Sequence, residues 1–105
     1  MSVSIFATAR TPIGAFGGSL RSLTAVGLAS RAMGETLRRA DLAPALVQEI
    51  ILGCALPAGC GPNPARQAAL EVGLVGSAFT VNMGQGSGLK AILLAVQKLV
   101  QGDEA

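Results

Sequence analysis

The sequence predicts an α/β fold with a mostly parallel sheet, and three observations carry that expectation. Apolar residues recur at helical spacing in two long segments, short apolar runs lead into Gly- and Pro-rich turns, and the two kinds of segment alternate along the chain. With 105 residues there is room for one domain at most. Half the residues are hydrophobic and 13% are charged, against about 25% in ordinary soluble domains. Three Phe and no Trp or Tyr leave the apolar content to small and aliphatic side chains, which suits helices packed closely on a sheet. So low a charge implies a surface that something else covers.

Taken in order, Val3 to Ala9 alternates loosely and leans towards β before Arg10-Thr11-Pro12 stops it. Ile13 to Ser19 carries three glycines and one Phe, a loop that passes close to other backbone. From Thr24 to Ala40 a helix is expected, because Val26, Ala29, Met33, Leu37 and Ala40 fall three and four apart. Arg38 and Arg39 sit in its last turn, where cations suit the helix dipole. Glu49 to Leu56 reads as a buried parallel strand, and Pro57 to Pro62 as a loop. Asn63-Pro64 opens the next helix, with Asn as cap and Pro at the first helical position; it runs to about Val72 and Gly73 stops it. Ala78 to Asn82 is strand-like. Gly84 to Gly88 is a tight turn, and Leu89 to Gln101 is a helix with Leu89, Ile92, Leu93, Val96, Leu99 and Val100 on one side. A parallel unit would next supply a strand for that last helix to cover, so a truncated domain with open strand edges is expected.

Composition narrows the functional classes. A net charge of +2 with scattered Lys and Arg does not support nucleic-acid binding. No run reaches the roughly 20 apolar residues of a membrane helix, and no signal peptide is visible, so the cytoplasm is the expected compartment. Cys54 and Cys60 are not spaced as C-x-x-C and have no His beside them, so no metal site is expected. The absence of His also removes Ser-His and Cys-His nucleophile pairs.

The chemical candidate is the strand-turn-helix from Thr80 to Ala91. A helix amino terminus presents N–H groups and a positive dipole end that can hold an anion or a developing oxyanion. Gly86-x-Gly88-x-x-Ala91 matches a dinucleotide fingerprint, but it follows the third strand-like segment rather than the first, and no ribose-binding acid follows it. A P-loop is excluded for want of Gly-Lys-Ser or Gly-Lys-Thr. Spacing alone is equally met by a structural turn in which glycine allows helix and strand to approach closely.

Three motifs go further. Ala9-Arg10-Thr11-Pro12-Ile13-Gly14-Ala15-Phe16-Gly17-Gly18-Ser19-Leu20 comes first. Ile51-Leu52-Gly53 follows, then Ala58-Gly59 leading to Asn63-Pro64-Ala65-Arg66-Gln67-Ala68-Ala69-Leu70. Asn82 with Gly86-Ser87-Gly88-Leu89-Lys90-Ala91 completes the series. In order and spacing these resemble the amino-terminal part of the thiolase family, over essentially the whole chain.

The resemblance implies an incomplete thiolase amino-terminal domain over residues 1–105, with helices on both faces of the sheet and ancestry among enzymes that condense or cleave β-ketoacyl-coenzyme A thioesters. It implies that position 85 is where thiolases carry the nucleophilic Cys, flanked by the turn residues Gly84, Gly86, Ser87 and Gly88. Here that position holds Gln85. A carboxamide has no ionisable thiol and cannot become an acyl thioester. The family's catalytic His, second Cys and coenzyme A-binding loops lie later in its longer chains, so this segment is expected to bind no cofactor and to be inactive alone. Asn63, Arg66 and Gln67 fall where the family places a subunit interface, and they are equally readable as ordinary helix residues. A homo-oligomer or a thiolase-like partner subunit is the expected association, and a non-catalytic partner role is the alternative function. In related condensing enzymes, Gln at the nucleophile position accompanies decarboxylation of malonyl thioesters, a narrower possibility for Gln85.

Overall fold

The computed structural model describes residues 2–102. Its elements run α1 (Ala25–Ala40), β1 (Glu49–Gly53), α2 (Pro64–Glu71), β2 (Ser77–Val81) and α3 (Ser87–Gln101), with a single 3₁₀ turn at Pro44–Leu46. The strands pair in parallel, Glu49 opposite Ser77 through Gly53 opposite Val81. A parallel pair needs a crossover, and α2 supplies it.

Alternation along β1 assigns the two faces of the sheet. Ile50 points to one face, where it joins Ala69 of α2 and Leu74 in the buried core, flanked by Met33 and Leu37 of α1. Burying Ile50 there contributes about 1.5–3 kcal/mol. Glu49 serves the other face, where both its carboxylate oxygens accept hydrogen bonds from Lys98 Nζ of α3, at 2.6 and 2.7 Å. Lys98 Nζ also stands 5.6 Å from the centre of the Phe79 ring on β2. Helices therefore cover both faces, α2 backed by α1 on one and α3 on the other. Ala65, Ala68 and Ala69 are fully buried, so small side chains do permit the close packing that the composition implied.

Local signals explain the element ends. Thr24 caps α1 through its side-chain oxygen, which accepts from Gly27 N at 3.0 Å. Asp41 ends the helix in a left-handed conformation, and Gly73, at φ +80°, follows α2 as expected.

Four expectations need correction. Val3–Ala9 is not a strand: it joins no ladder among the described residues, and a strand exists only where a neighbour exchanges backbone hydrogen bonds with it. The segment is instead tied to α1 by Arg39, whose Nη1 donates to the Thr8 carbonyl at 2.9 Å. The strand expected over Glu49–Leu56 ends at Gly53; Cys54 N still donates to Val81 O at 3.0 Å before the chain turns towards Pro57. The last helix starts at Ser87 rather than Leu89. Finally, Asn63 stands at the cap position of α2 without capping it.

Candidate functional site

The turn joining β2 to α3 is held by its own backbone and by one serine. Gly84 adopts φ +56°, a left-handed conformation that suits glycine. Gly86 N donates to Met83 O at 3.1 Å and Ser87 N to Gly84 O at 3.2 Å. Ser87 is 3% exposed; its hydroxyl accepts from Met83 N at 2.9 Å and donates to the Gly84 carbonyl. Asn82 Oδ1 accepts from Gly84 N at 3.1 Å at the entrance. These bonds fix the backbone on both sides of residue 85 without using its side chain.

Gln85 itself is exposed at the amino-terminal end of the fifteen-residue α3. The helix dipole and the first-turn N–H groups favour negative charge there. Gly88, also in that first turn, adopts an ordinary helical conformation and is exposed. The Gln85 amide can donate and accept hydrogen bonds, but it carries no ionisable nucleophile.

Gly53 seats this end of α3 against the sheet. A Cβ added at Gly53 would lie 2.4 Å from Ser87 C, 2.5 Å from Ser87 O and 2.6 Å from Gly88 N. Strand and helix backbone thus touch with no side chain between them. The sequence motif contained Gly53, but nothing in its neighbours named this contact; a glycine ending an apolar strand was the available signal.

Asn63, Arg66 and Gln67 lie apart from residue 85, on and before α2. Asn63, at φ +47°, donates from Nδ2 to Ala78 O at 3.0 Å, and its Oδ1 accepts from Thr80 Oγ1 at 2.8 Å. Thr80 Oγ1 in turn accepts from Ala65 N at 3.0 Å, so the cap of α2 comes from β2. Arg66 Nη1 donates to Gly76 O at 2.9 Å. Gln67 Nε2 donates to Cys60 O and Pro62 O, both at 2.8 Å, and so gathers the Pro57–Pro62 loop onto α2.

Both cysteines are free and half-buried, and the Cys60 thiol lies 3.8 Å from Leu56 O. Among the described residues, no three His, Cys, Asp or Glu side chains converge as a metal site, and no helix is long and apolar enough to cross a membrane.

A fold with this turn, over these motifs, has a match in sequence: residues 3–105 fit the family model described as "Thiolase, N-terminal domain". The chain belongs to the thiolase N-terminal domain family. It is 48% identical over 102 residues to acetyl-CoA acetyltransferase 2 of Arabidopsis thaliana, covering 95% of this chain and 25% of that protein. It is 45% identical over 103 residues to the cytosolic acetyl-CoA acetyltransferase of Rattus norvegicus, covering 96% of this chain and 26% of the relative. In structure it resembles Acat5 thiolase from Ascaris suum in complex with coenzyme A, with a TM-score of 0.89 and 34% identity over 91% of this chain and 26% of that one. The thiolase-like chain thus spans about a quarter of the length of the curated relatives it matches.

Proposed function

We propose that this chain is an acyl-handling segment of a thiolase-type acyltransferase, built to present residue 85 to a coenzyme A thioester but unable to accept the acyl group on it. One observation carries the reading: Gln85 occupies the amino terminus of α3, at the position the motif series assigns to a nucleophile. Covalent acyl transfer needs a thiolate at that point, and the helix end would favour one. Gln85 supplies only amide hydrogen bonds, which could orient a thioester carbonyl or an enolate. These 105 residues hold no His, so this segment offers no imidazole of its own to move protons for a substitute nucleophile.

The substrate class is a β-ketoacyl-coenzyme A thioester, supported by the acetyl-CoA acetyltransferase relatives and by the coenzyme A complex of the Ascaris suum thiolase. Cytoplasmic placement is supported by the free thiols and by the cytosolic Rattus norvegicus relative. For Asn63, Arg66 and Gln67, the hydrogen bonds each makes within the chain favour a role in holding α2 over one in partner contact.

The test mixes purified chain with acetoacetyl-CoA and coenzyme A and follows thiolysis, then examines the protein by mass spectrometry. No turnover above blank and no acetyl adduct are expected. Sustained thiolysis, or an acetyl group on any side chain from Gly84 to Gly88, refutes the proposal.

A second reading, a non-catalytic partner of an intact thiolase-like protein, is favoured by the apolar side chains left at the surface, among them Leu56 at 84% exposure. Light scattering of this chain mixed with the Arabidopsis thaliana relative distinguishes it, since a stoichiometric complex is required.

A further inference from the structure

Between the end of β2 and the start of α3, hydrogen bonds rather than packing set the path of the chain. The bond from Cys54 N to Val81 O at 3.0 Å closes the pairing of β1 with β2, one residue before Asn82. Gly84, two residues further on, is left-handed at φ +56°, and a Cβ built there would meet nothing within 4 Å. No neighbour crowds residue 84 into that conformation, and glycine takes positive and negative φ about as readily. What fixes it is what its two backbone groups bind. On the α3 side, the Gly84 carbonyl accepts from Ser87 N and from the Ser87 hydroxyl. On the β2 side, the Gly84 N–H donates to Asn82 Oδ1 at 3.1 Å.

The two tethers differ in kind. Ser87 is buried and opens α3, so its bonds cannot be separated from the helix itself. Asn82 is exposed and belongs to neither strand nor helix. Its side-chain oxygen binds backbone two residues on, a local turn that Asn forms readily. Replacing it removes an orienting bond and no packed contact.

We propose that Asn82 is a positioning residue, which holds the Gly84 N–H and so keeps the side chain of residue 85 at the amino-terminal end of α3. This rests on the reading that the chain meets a thioester at position 85. Placement can be measured without acyl transfer, so the two fail separately. Thiolysis by the unaltered chain would refute the acyl-handling reading and leave the role of Asn82 standing.

A thiol makes the placement visible, because a helix amino terminus lowers its pKa and only the thiolate is alkylated quickly. The probe is Gln85→Cys, reacted with iodoacetamide across neutral and alkaline pH. Cleavage after Arg66 parts position 85 from Cys54 and Cys60, so each can be read by mass spectrometry. The introduced thiol should titrate about one unit below the ordinary value of about 8.5. Adding Asn82→Ala should return it by about half a unit or more, since Gly84 is then free to change hand and carry residue 85 away from the helix end. Asn82→Ser, whose hydroxyl accepts in the same kind of turn, should restore most of the shift. Thr80→Val is the control for stability alone: it removes bonds on β2 that do not involve Gly84, and should lower the thermal midpoint without moving the titration. A thiol at position 85 with ordinary acidity, an Asn82→Ala titration that coincides with its parent, no recovery with Asn82→Ser, or an equal shift from Thr80→Val, overturns the proposal.

Discussion

Gly53→Ala isolates the contact that seats α3. The new methyl carbon would meet three backbone atoms of Ser87 and Gly88 at 2.4 to 2.6 Å. Non-bonded carbon contacts settle near 3.5–4.0 Å, so relief requires the first turn of α3 to retreat by about 1 Å. Backbone cannot rotate aside as a side-chain tip can, which places the strain towards the upper end of the roughly 1–3 kcal/mol found for overpacked sites. Removing a strand glycine returns roughly 0.5–1 kcal/mol of chain entropy. The net loss is about 2 kcal/mol, a large part of the roughly 5–15 kcal/mol that holds a domain folded. At roughly 4–8 °C per kcal/mol the thermal midpoint should fall by about 8–16 °C. Gly88→Ala is the control, because a Cβ there meets nothing within 4 Å. Inside a helix that change should stabilise by about 0.5–1 kcal/mol. Urea unfolding followed by circular dichroism measures both. A Gly53→Ala midpoint at or above wild type, or equal falls for both variants, would refute the argument.

Three further outcomes follow from the same structure. Thr80→Val removes the acceptor for Ala65 N and the donor to Asn63, so urea unfolding should show a loss of about 1–2 kcal/mol. Lys98→Met leaves Glu49, 10% exposed, without its cation; the expected loss is about 2 kcal/mol, and adding Glu49→Leu should recover most of it. Hydrogen bonds from Arg38 and then Arg39 lower the Glu35 carboxyl from 4.5 to about 2. Its stabilising effect on α1 is complete above pH 4.5 and is lost as pH falls towards 2, weakly because the cluster is exposed and screened by salt. Glu35→Gln should remove that part of an acid titration followed by far-UV circular dichroism.

The helices were legible because their information is local: the spacing of Val26, Met33 and Leu37 needs no knowledge of distant residues. For α3 the helix was legible but its buried side was not, since Leu89, Ile92, Leu93 and Val100 of the expected stripe are exposed while Ser87 and Ala91 are buried. Parallel pairing of β1 with β2 followed from the helix between them. The turn at residues 84–88 was legible from its glycines and from the motif around it. Val3–Ala9 was not, since strand formation depends on a neighbour that its own residues do not specify. Asn63 misled for a similar reason. Its residue type suits a cap, but Thr80, seventeen positions later, claims its carboxamide and supplies the cap instead. Gly53 was visible as a glycine, while its contact with Ser87 exists only once the two ends of the fold meet.

The bonds from Ser87 to Met83 and Gly84 have a consequence for how such proteins diverge. They clamp the chain before and after position 85 and ignore whatever side chain projects between. Backbone shape and the identity of that side chain are mechanically uncoupled there. One substitution at position 85 exchanges the group presented at the start of α3 and leaves the turn that presents it unchanged.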